Sequence, residues 1–334
     1  MKNILVTRLR FMGDIILTTP LLAALRHNYP DANISYLGET PYLSLLENHP
    51  CVDTLLPLNR SSFNRSAHLY FGLLTKKYDL AIDLYGNPRS AFLTWLSGAR
   101  IRIGGDFRGR RYFYTMPIKN DGTVKTAVQF HLSYLAPLDI EWTTTTTRIY
   151  PTDDELQWAD NYLLENNYHP EKTIIGIHPG ATWPAKKWLP DRFAQVANQL
   201  AHEGHQVLFT MGPGEEDLIA NVLSHCRFPV FRPRVLSLRQ LAALLQKMTL
   251  YIANDCGPLH LAPAVGTPVI GIFGPGEPEI WFPYGKEDGH RLVFHEVDCS
   301  RCHRDFCEKM ECMKSIRVSD VMNAIKDSLQ QRHG

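Results

Sequence analysis

A chain of 334 residues is long for a single core and suits two domains of roughly 150 residues each. Hydrophobic residues at 44% and charged residues at 21% describe an ordinary globular protein, and a formal net charge of +1 argues against wholesale nucleic-acid binding. No apolar run approaches the roughly 18 residues of a membrane span, the opening stretch meets Lys2 and Arg8 too early for a secretory signal, and seven cysteines with four crowded at the C-terminal end fit the cytosol better than a disulfide scaffold.

Residues 4–7 read as a short strand, followed by a Gly13-Asp14 turn. Leu17, Leu21, Leu22 and Leu25 then recur at helical spacing. The pattern repeats as strand 34–37, helix 42–47, strand 52–56, a helix before Lys76-Lys77, strand 80–84 and a helix that begins with 91–96. Short apolar strands alternating with helices predict βαβ units on a parallel sheet, with right-handed crossovers. The pattern lapses from Ile140 through the Thr143 to Thr147 run, and Pro151-Thr152-Asp153-Asp154-Glu155 reads as a helix start near a domain boundary. A second series follows: strand 173–177, helix 192–202, strand 206–211, helices 215–223 and 238–247, strand 250–253, helix 258–265, strand 269–273 and a closing amphipathic helix near 318–329. The expectation is an α/β chain of two doubly wound domains, 1–150 and 151–334, with a cleft beside the carboxyl ends of both sheets. The closing helix is free to pack back on the first domain.

The stretch Leu250 to His260, Leu-Tyr-Ile-Ala-Asn-Asp-Cys-Gly-Pro-Leu-His, organises the rest. A strand runs into the turn Asn254-Asp255-Cys256-Gly257, and Pro258 suits the first position of a helix. Such a helix aims free N–H groups and its positive dipole end at the mouth of the turn, a ready place for a phosphate. Asp255 and His260 flank that mouth; the plainer alternative is an ordinary junction capped by Asp255. A thiolate at Cys256 would be reactive in the same place.

Asp14 stands at the end of the first strand, where a carboxylate either caps a helix or accepts a proton from a hydroxyl. His178-Pro179-Gly180-Ala181-Thr182 ends the first strand of the second series, and Trp183-Pro184-Ala185-Lys186-Lys187-Trp188 follows. Thr182 as donor and Lys186 as a compact charge suit a diphosphate, against the alternative of a solvated lysine pair beside packing tryptophans. In Met211-Gly212-Pro213-Gly214-Glu215-Glu216 an acid can grip ribose hydroxyls. The stretch is not a G-x-G-x-x-G fingerprint, and no P-loop, G-x-S-x-G elbow or H-E-x-x-H helix is present in the sequence.

Between Gly86 and Lys125 the basic residues Arg89, Arg100, Arg102, Arg108, Arg110, Arg111, Lys119 and Lys125 meet only Asp106 and Asp121, with Tyr112, Phe113 and Tyr114 interleaved. A polyanionic ligand or an anionic membrane surface finds complementary charge there; nucleic acid is the formal rival, and a solvated basic face the plain one. Cys299-x2-Cys302-x4-Cys307-x4-Cys312 can close a tetrahedral zinc site, hold an iron–sulfur cluster, or be four thiols without a ligand.

Four features, in order along nearly the whole chain, resemble glycosyltransferase family 9, the lipopolysaccharide heptosyltransferases. They are Arg10-Phe11-Met12-Gly13-Asp14 with Thr19-Pro20-Leu21-Leu22; His178-Pro179-Gly180 with Lys186-Lys187-Trp188; Gly212-Pro213-Gly214-Glu215; and Asn254-Asp255-Cys256-Gly257-Pro258-Leu259-His260 followed by Gly266-Thr267-Pro268 and Phe273-Gly274-Pro275. The resemblance implies a GT-B fold, two Rossmann-like domains facing across a cleft. The acceptor belongs on the N-terminal domain and a nucleotide sugar on the C-terminal one. It implies Asp14 as general base, Lys186 and Thr182 at the donor diphosphate and sugar, and Glu215 at the ribose. It places Leu236 on adenine, Asp255 near the donor sugar, and the N–H groups of Cys256 and Gly257 on phosphate. His260 stands in the matching histidine position. Where Cys256 stands the family often has Thr or Ser, so a hydroxyl contact is lost and the N–H kept. The implied reaction is inverting transfer of heptose from ADP-heptose to a phosphorylated lipid A–Kdo core, with no metal or other cofactor required for catalysis. Arg10, Arg89, Arg108, Arg110 and Arg111 are the expected acceptor contacts. The implied place is cytoplasmic, peripheral at the anionic inner membrane. The form of Asp83-Leu84-Tyr85-Gly86-Asn87-Pro88-Arg89-Ser90 leans toward addition of the second heptose. A relative using another nucleotide sugar or acceptor, or a nucleotide-sugar binder or epimerase without transfer, are the alternatives.

Overall fold

The computed structural model describes residues 1–59, 63–169 and 171–331, without the side chains of 63–68. The chain divides into two compact units, Met1–Tyr150 and Pro151–Gly334.

The first unit runs β1 (Asn3–Thr7), α1 (Met12–Ile16), α2 (Thr19–Asn28), β2 (Asn33–Glu39), α3 (Thr40–Leu43), β3 (Thr54–Leu58), α4 (Phe63–Thr75), β4 (Leu80–Asp83), α5 (Pro88–Leu96), β5 (Ile101–Gly105), β6 (Met116–Ile118) and α6 (Ala127–Leu132). Its strands are parallel, in the order β3-β2-β1-β4-β5-β6. Ile4, Leu5 and Val6 are buried, as expected of a central strand covered on both faces. In register, Ile4 stands between Ile34 of β2 and Leu80 of β4.

The second unit runs α7 (Asp153–Glu165), β7 (Ile174–His178), α8 (Pro190–His202), β8 (Gln206–Phe209), α9 (Glu216–Ser224), α10 (Leu238–Gln246), β9 (Leu250–Asn254), α11 (Gly257–Ala264), β10 (Val269–Ile272), α12 (Pro278–Trp281), β11 (Arg291–Val293), α13 (Glu311–Ser315) and α14 (Val318–Gln331). Its parallel sheet has the order β11-β10-β9-β7-β8. The closing helix α14 spends its apolar stripe, Val321, Met322 and Ile325, on the core of this unit, where it packs on α8, β10 and β11.

Several expectations shift in detail. Gly13-Asp14 is not a turn before a helix but the second and third residues of α1, and the helix stops before α2 restarts with Pro20 in its first turn. Proline there lacks the N–H that a continuous helix would use. The strand expected at 52–56 lies at Thr54–Leu58 instead, and β5 and β6 were not foreseen. Both β3 and β6 are edge strands, so Pro57 and Pro117 sit where a missing donor removes no ladder bond.

Candidate active site

In the second unit the strand order changes direction between β7 and β9, and ligands of doubly wound sheets bind at the carboxyl ends beside such a switch. The turn after β7 carries Lys186 and the end of β9 carries Asp255. Lys186 Nζ lies 2.5 Å from Asp255 Oδ2 and 4.6 Å from the centre of the Trp183 ring. Asn254 ties the two turns together. Its side-chain N–H₂ donates to Pro179 O at 2.8 Å, and its oxygen accepts from Trp188 N–H at 3.1 Å. A Cβ at Gly276 would stand 2.7 Å from Asp255 Oδ2, so glycine there leaves the carboxylate its place. The tryptophans split in role: Trp188 is wholly buried and Trp183 is exposed.

Asp255 is not the helix cap. The N-cap of α11 is Cys256, in extended conformation, and no side chain caps the first turn. Gly257 and Pro258 therefore occupy the first two helical positions, one step earlier than expected. Burial pushes the Cys256 thiol well up, so it stays protonated and the reactive-thiolate reading is set aside. His260 Nδ1 lies 2.9 Å from the Tyr284 hydroxyl, within an aromatic group that includes Phe282.

Glu215 precedes α9 and folds back on its own turn. Its Oε2 accepts from Gly212 N–H at 2.6 Å and lies 3.5 Å from His178 Nε2. A Cβ at position 180 would collide with the Glu215 carboxylate, so Gly180 is needed for this close approach. His178 Nδ1 sits 3.2 Å from Thr210 Oγ1, which lies 2.6 Å from the Tyr251 hydroxyl. Burial pushes His178 down while the Glu215 carboxylate pulls it up. Thr182 is exposed on the turn after β7, and Leu236 is half-buried just ahead of the Ser237 cap of α10.

In the first unit the order changes direction between β1 and β4, and the segments that follow those strands meet. The Asp14 carboxylate is held twice: Oδ1 by the Arg8 guanidinium and Oδ2 by Phe11 N–H at 2.9 Å. Arg8 in turn donates to Leu84 O at 2.6 Å and lies over the Tyr85 ring, while Arg10 Nε donates to the Tyr85 hydroxyl at 2.8 Å. Arg8 and Tyr85 are positions that the motif reading passed over; the signal available was Arg8 six residues before Asp14.

Beneath them Asp83 is fully buried and accepts from Tyr85 N–H, Gly86 N–H, Ser90 Oγ–H and Tyr114 O–H at 2.7 to 3.0 Å. Burial pushes its pKa up, against those four donors. The Asp83 to Ser90 stretch is thus a structural cradle for the turn into α5. The basic segment is less uniform than its composition suggests. Arg102 donates to Phe113 O and Ala99 O, and Lys125 pairs with Asp121. Arg111 lies 3.7 Å from Asp106, Arg110 covers the Phe107 ring, Arg108 is exposed and Arg89 is half-buried on α5.

Cys299 and Cys302 are exposed, Cys307 is half-buried, and Cys312 packs with Met313 beneath Gly274 in the core. Burial pushes the Cys312 thiol up, and the neighbouring thiols of Cys299, Cys302 and Cys307 push it the same way. Among the described residues no three His, Cys, Asp or Glu side chains come together as a metal-binding group. The zinc and iron–sulfur readings of the four cysteines gain no support from this arrangement.

The family model described as glycosyltransferase family 9 (heptosyltransferase) matches residues 67–312. A curated relative, lipopolysaccharide heptosyltransferase 3 of Escherichia coli, is 28% identical over 83% of this chain and 85% of its own length. Among solved structures, the glycosyl transferase family 9 protein of Veillonella parvula DSM 2008 superposes with a TM-score of 0.86 at 24% identity, covering 99% of this chain and 97% of that one. The E. coli ADP-heptose lps heptosyltransferase II superposes with a TM-score of 0.82 at 20% identity, covering all of both chains. The fold is GT-B, the enzyme is a glycosyltransferase, and the chain belongs to glycosyltransferase family 9, the lipopolysaccharide heptosyltransferases.

Proposed function

We propose that this enzyme transfers a heptose from ADP-heptose to the phosphorylated inner core of a lipid A–Kdo acceptor, with inversion and without a metal ion. The observation that carries the reading is the Lys186–Asp255 pair at the switch between β7 and β9, beside the uncapped start of α11. A diphosphate there meets one compact cation and the N–H groups of Cys256 and Gly257, which stabilise negative charge as it develops. Glu215 takes the ribose, Leu236 lies against adenine, and Thr182 and Asp255 contact the diphosphate and the sugar. The ADP-heptose in the name of the E. coli structural neighbour supports this choice of donor.

The acceptor hydroxyl oxygen forms a bond to the anomeric carbon on the face opposite the nucleotide. The bond from that carbon to the diphosphate oxygen breaks, and ADP leaves with the electron pair. The hydroxyl proton passes to Asp14. Each carboxylate oxygen has two acceptor positions, so Asp14 can take that proton while Arg8 and Phe11 N–H hold its orientation. A carboxylate is a sufficient base when the sugar–phosphate bond is largely broken first, since the hydroxyl becomes acidic as it bonds to an oxocarbenium-like carbon.

Arg10, Arg89, Arg108, Arg110 and Arg111 receive the acceptor's phosphates and carboxylates, at the cytoplasmic face of the inner membrane. Among the described residues no helix is long and apolar enough to cross a membrane. Second-heptose addition is the proposed step, on the likeness of the chain to the E. coli heptosyltransferase II over the whole of both chains. The test is ADP release from ADP-heptose with acceptors ending in Kdo, in one heptose or in two. Release only with acceptor, greatest with the one-heptose core, supports the reading. Sugar turnover without acceptor would indicate an epimerase or hydrolase.

A further inference from the structure

Surface helices normally turn polar residues outward, and α5 does not. Its inner side buries Ser90, Ala91, Leu93 and Thr94, and its outer side presents Phe92 and Trp95. Their rings lie 5.9 Å apart, and Trp95 meets the Phe113 ring at 6.5 Å. The neighbouring helix α4 repeats the pattern, with Leu69 and Leu73 buried and Phe71 and Leu74 outward. Trp95 is 50% exposed and Tyr112, next to Phe113, 83% exposed. This is a contiguous aromatic group around α5 and residues 111–113, with a second apolar pair on the neighbouring α4. Exposed apolar groups on this scale mark an interaction surface.

The surrounding charge selects the partner. Arg100, Arg108 and Arg111 are exposed, and Arg111 lies over the Tyr112 ring at 5.9 Å. Tryptophan and tyrosine prefer the headgroup level of a bilayer, and clustered arginines add attraction to anionic lipid. Neither feature suits an interior.

We propose that the outer faces of α4 and α5 and the turn at 111–113 form an interfacial anchor that seats the first unit on an anionic bilayer. Trp95 and Phe92 enter the headgroup region and Arg100 remains at the lipid phosphates, while Arg108 and Arg111 stay with the phosphates of the acceptor at the same surface. This rests on the reading that the acceptor is a membrane lipid, yet its test does not use the transfer reaction.

The full chain is mixed with vesicles of phosphatidylglycerol and phosphatidylethanolamine, or of phosphatidylcholine alone, and bound protein is measured by flotation. Binding to the anionic vesicles only, weakened at high salt, is expected. Phe92→Ser with Trp95→Ser lowers the partition coefficient at least about tenfold, while ADP affinity and transfer to a delipidated, water-soluble acceptor are unchanged. Brominated lipid quenches the fluorescence of the native chain, and Trp95→Phe removes most of that quenching. Absent binding at low salt, unchanged binding in the double variant, or a dimer that the double variant dissociates would each overturn the anchor. Failure of transfer to the soluble acceptor by the native enzyme would instead count against the proposed reaction.

Discussion

Lys186 Nζ rests 2.5 Å from Asp255 Oδ2, joining the turn after β7 to the end of β9. The cation assigned to the leaving diphosphate is thus already at the switch point, positioned by a carboxylate and by the face of Trp183. Lys186→Ala is expected to lower kcat/KM about 10²- to 10³-fold, the usual cost of removing one group that stabilises developing charge. Asp255→Ala leaves Lys186 present but unpositioned and costs less, about tenfold. The two losses should not add, because the residues act as one unit. Steady-state kinetics on the two single variants and the double variant check this, and full additivity would separate them.

In the proposed mechanism Arg8 is a positioning residue, acting through its pairing with Asp14. Arg8→Met is expected to reduce kcat roughly 10- to 100-fold while KM for ADP-heptose stays within a factor of about two. An equal loss in KM would mean that Arg8 contacts the donor.

Gly180 lets the Glu215 carboxylate lie against the turn after β7. Gly180→Ala should expel that carboxylate and weaken ADP binding at least about tenfold, measured by calorimetry. Glu215→Ala alone should weaken it comparably. Adding Gly180→Ala to Glu215→Ala should then cost little further affinity, because the colliding group is gone.

His49 and His290 are buried, and burial lowers each pKa from 6.5 to about 4. Their Nδ1 atoms lie 3.2 Å from the N–H groups of Cys51 and Val269 and accept from them, which requires unprotonated rings. The folded pKa is lowered, so between pH 6.5 and 4 the unfolded chain binds more protons. Stability is therefore complete above about pH 6.5 and falls as the pH drops toward 4, by up to about 1.4 kcal/mol per unit for each ring. Urea unfolding across that range should show the decline. His49→Asn with His290→Asn, which keeps an acceptor near the Nδ1 position, should flatten it.

Much of this architecture was legible because buried parallel strands are short continuous apolar runs, as in 174–177 and 250–253. Of the strands outside that pattern, β6 and β11 have three residues each and β6 contains proline, while β5 breaks its apolar run with Arg102 and two glycines. The site residues on glycine-rich strand ends were visible as motifs. What the motifs could not show is partnership. Asp255 and Lys186 are 69 positions apart and meet only because β7 and β9 are neighbours. Nor could the motifs show that Cys256, placed at a helix start, is half-buried with its thiol pushed up, or that Cys312 packs in the core beside Met313. The Asp83 to Ser90 stretch read as a branch marker, yet its conspicuous acid is occupied with holding a turn.

The central claim is that Asp14 accepts the acceptor's proton while the second unit holds the donor. The most direct test compares Asp14→Asn with the native enzyme in single-turnover transfer from ADP-heptose, alongside ADP binding by calorimetry. The account predicts ADP affinity within about twofold of native and a transfer rate at least about 10³-fold lower. Native-rate transfer by Asp14→Asn would contradict it.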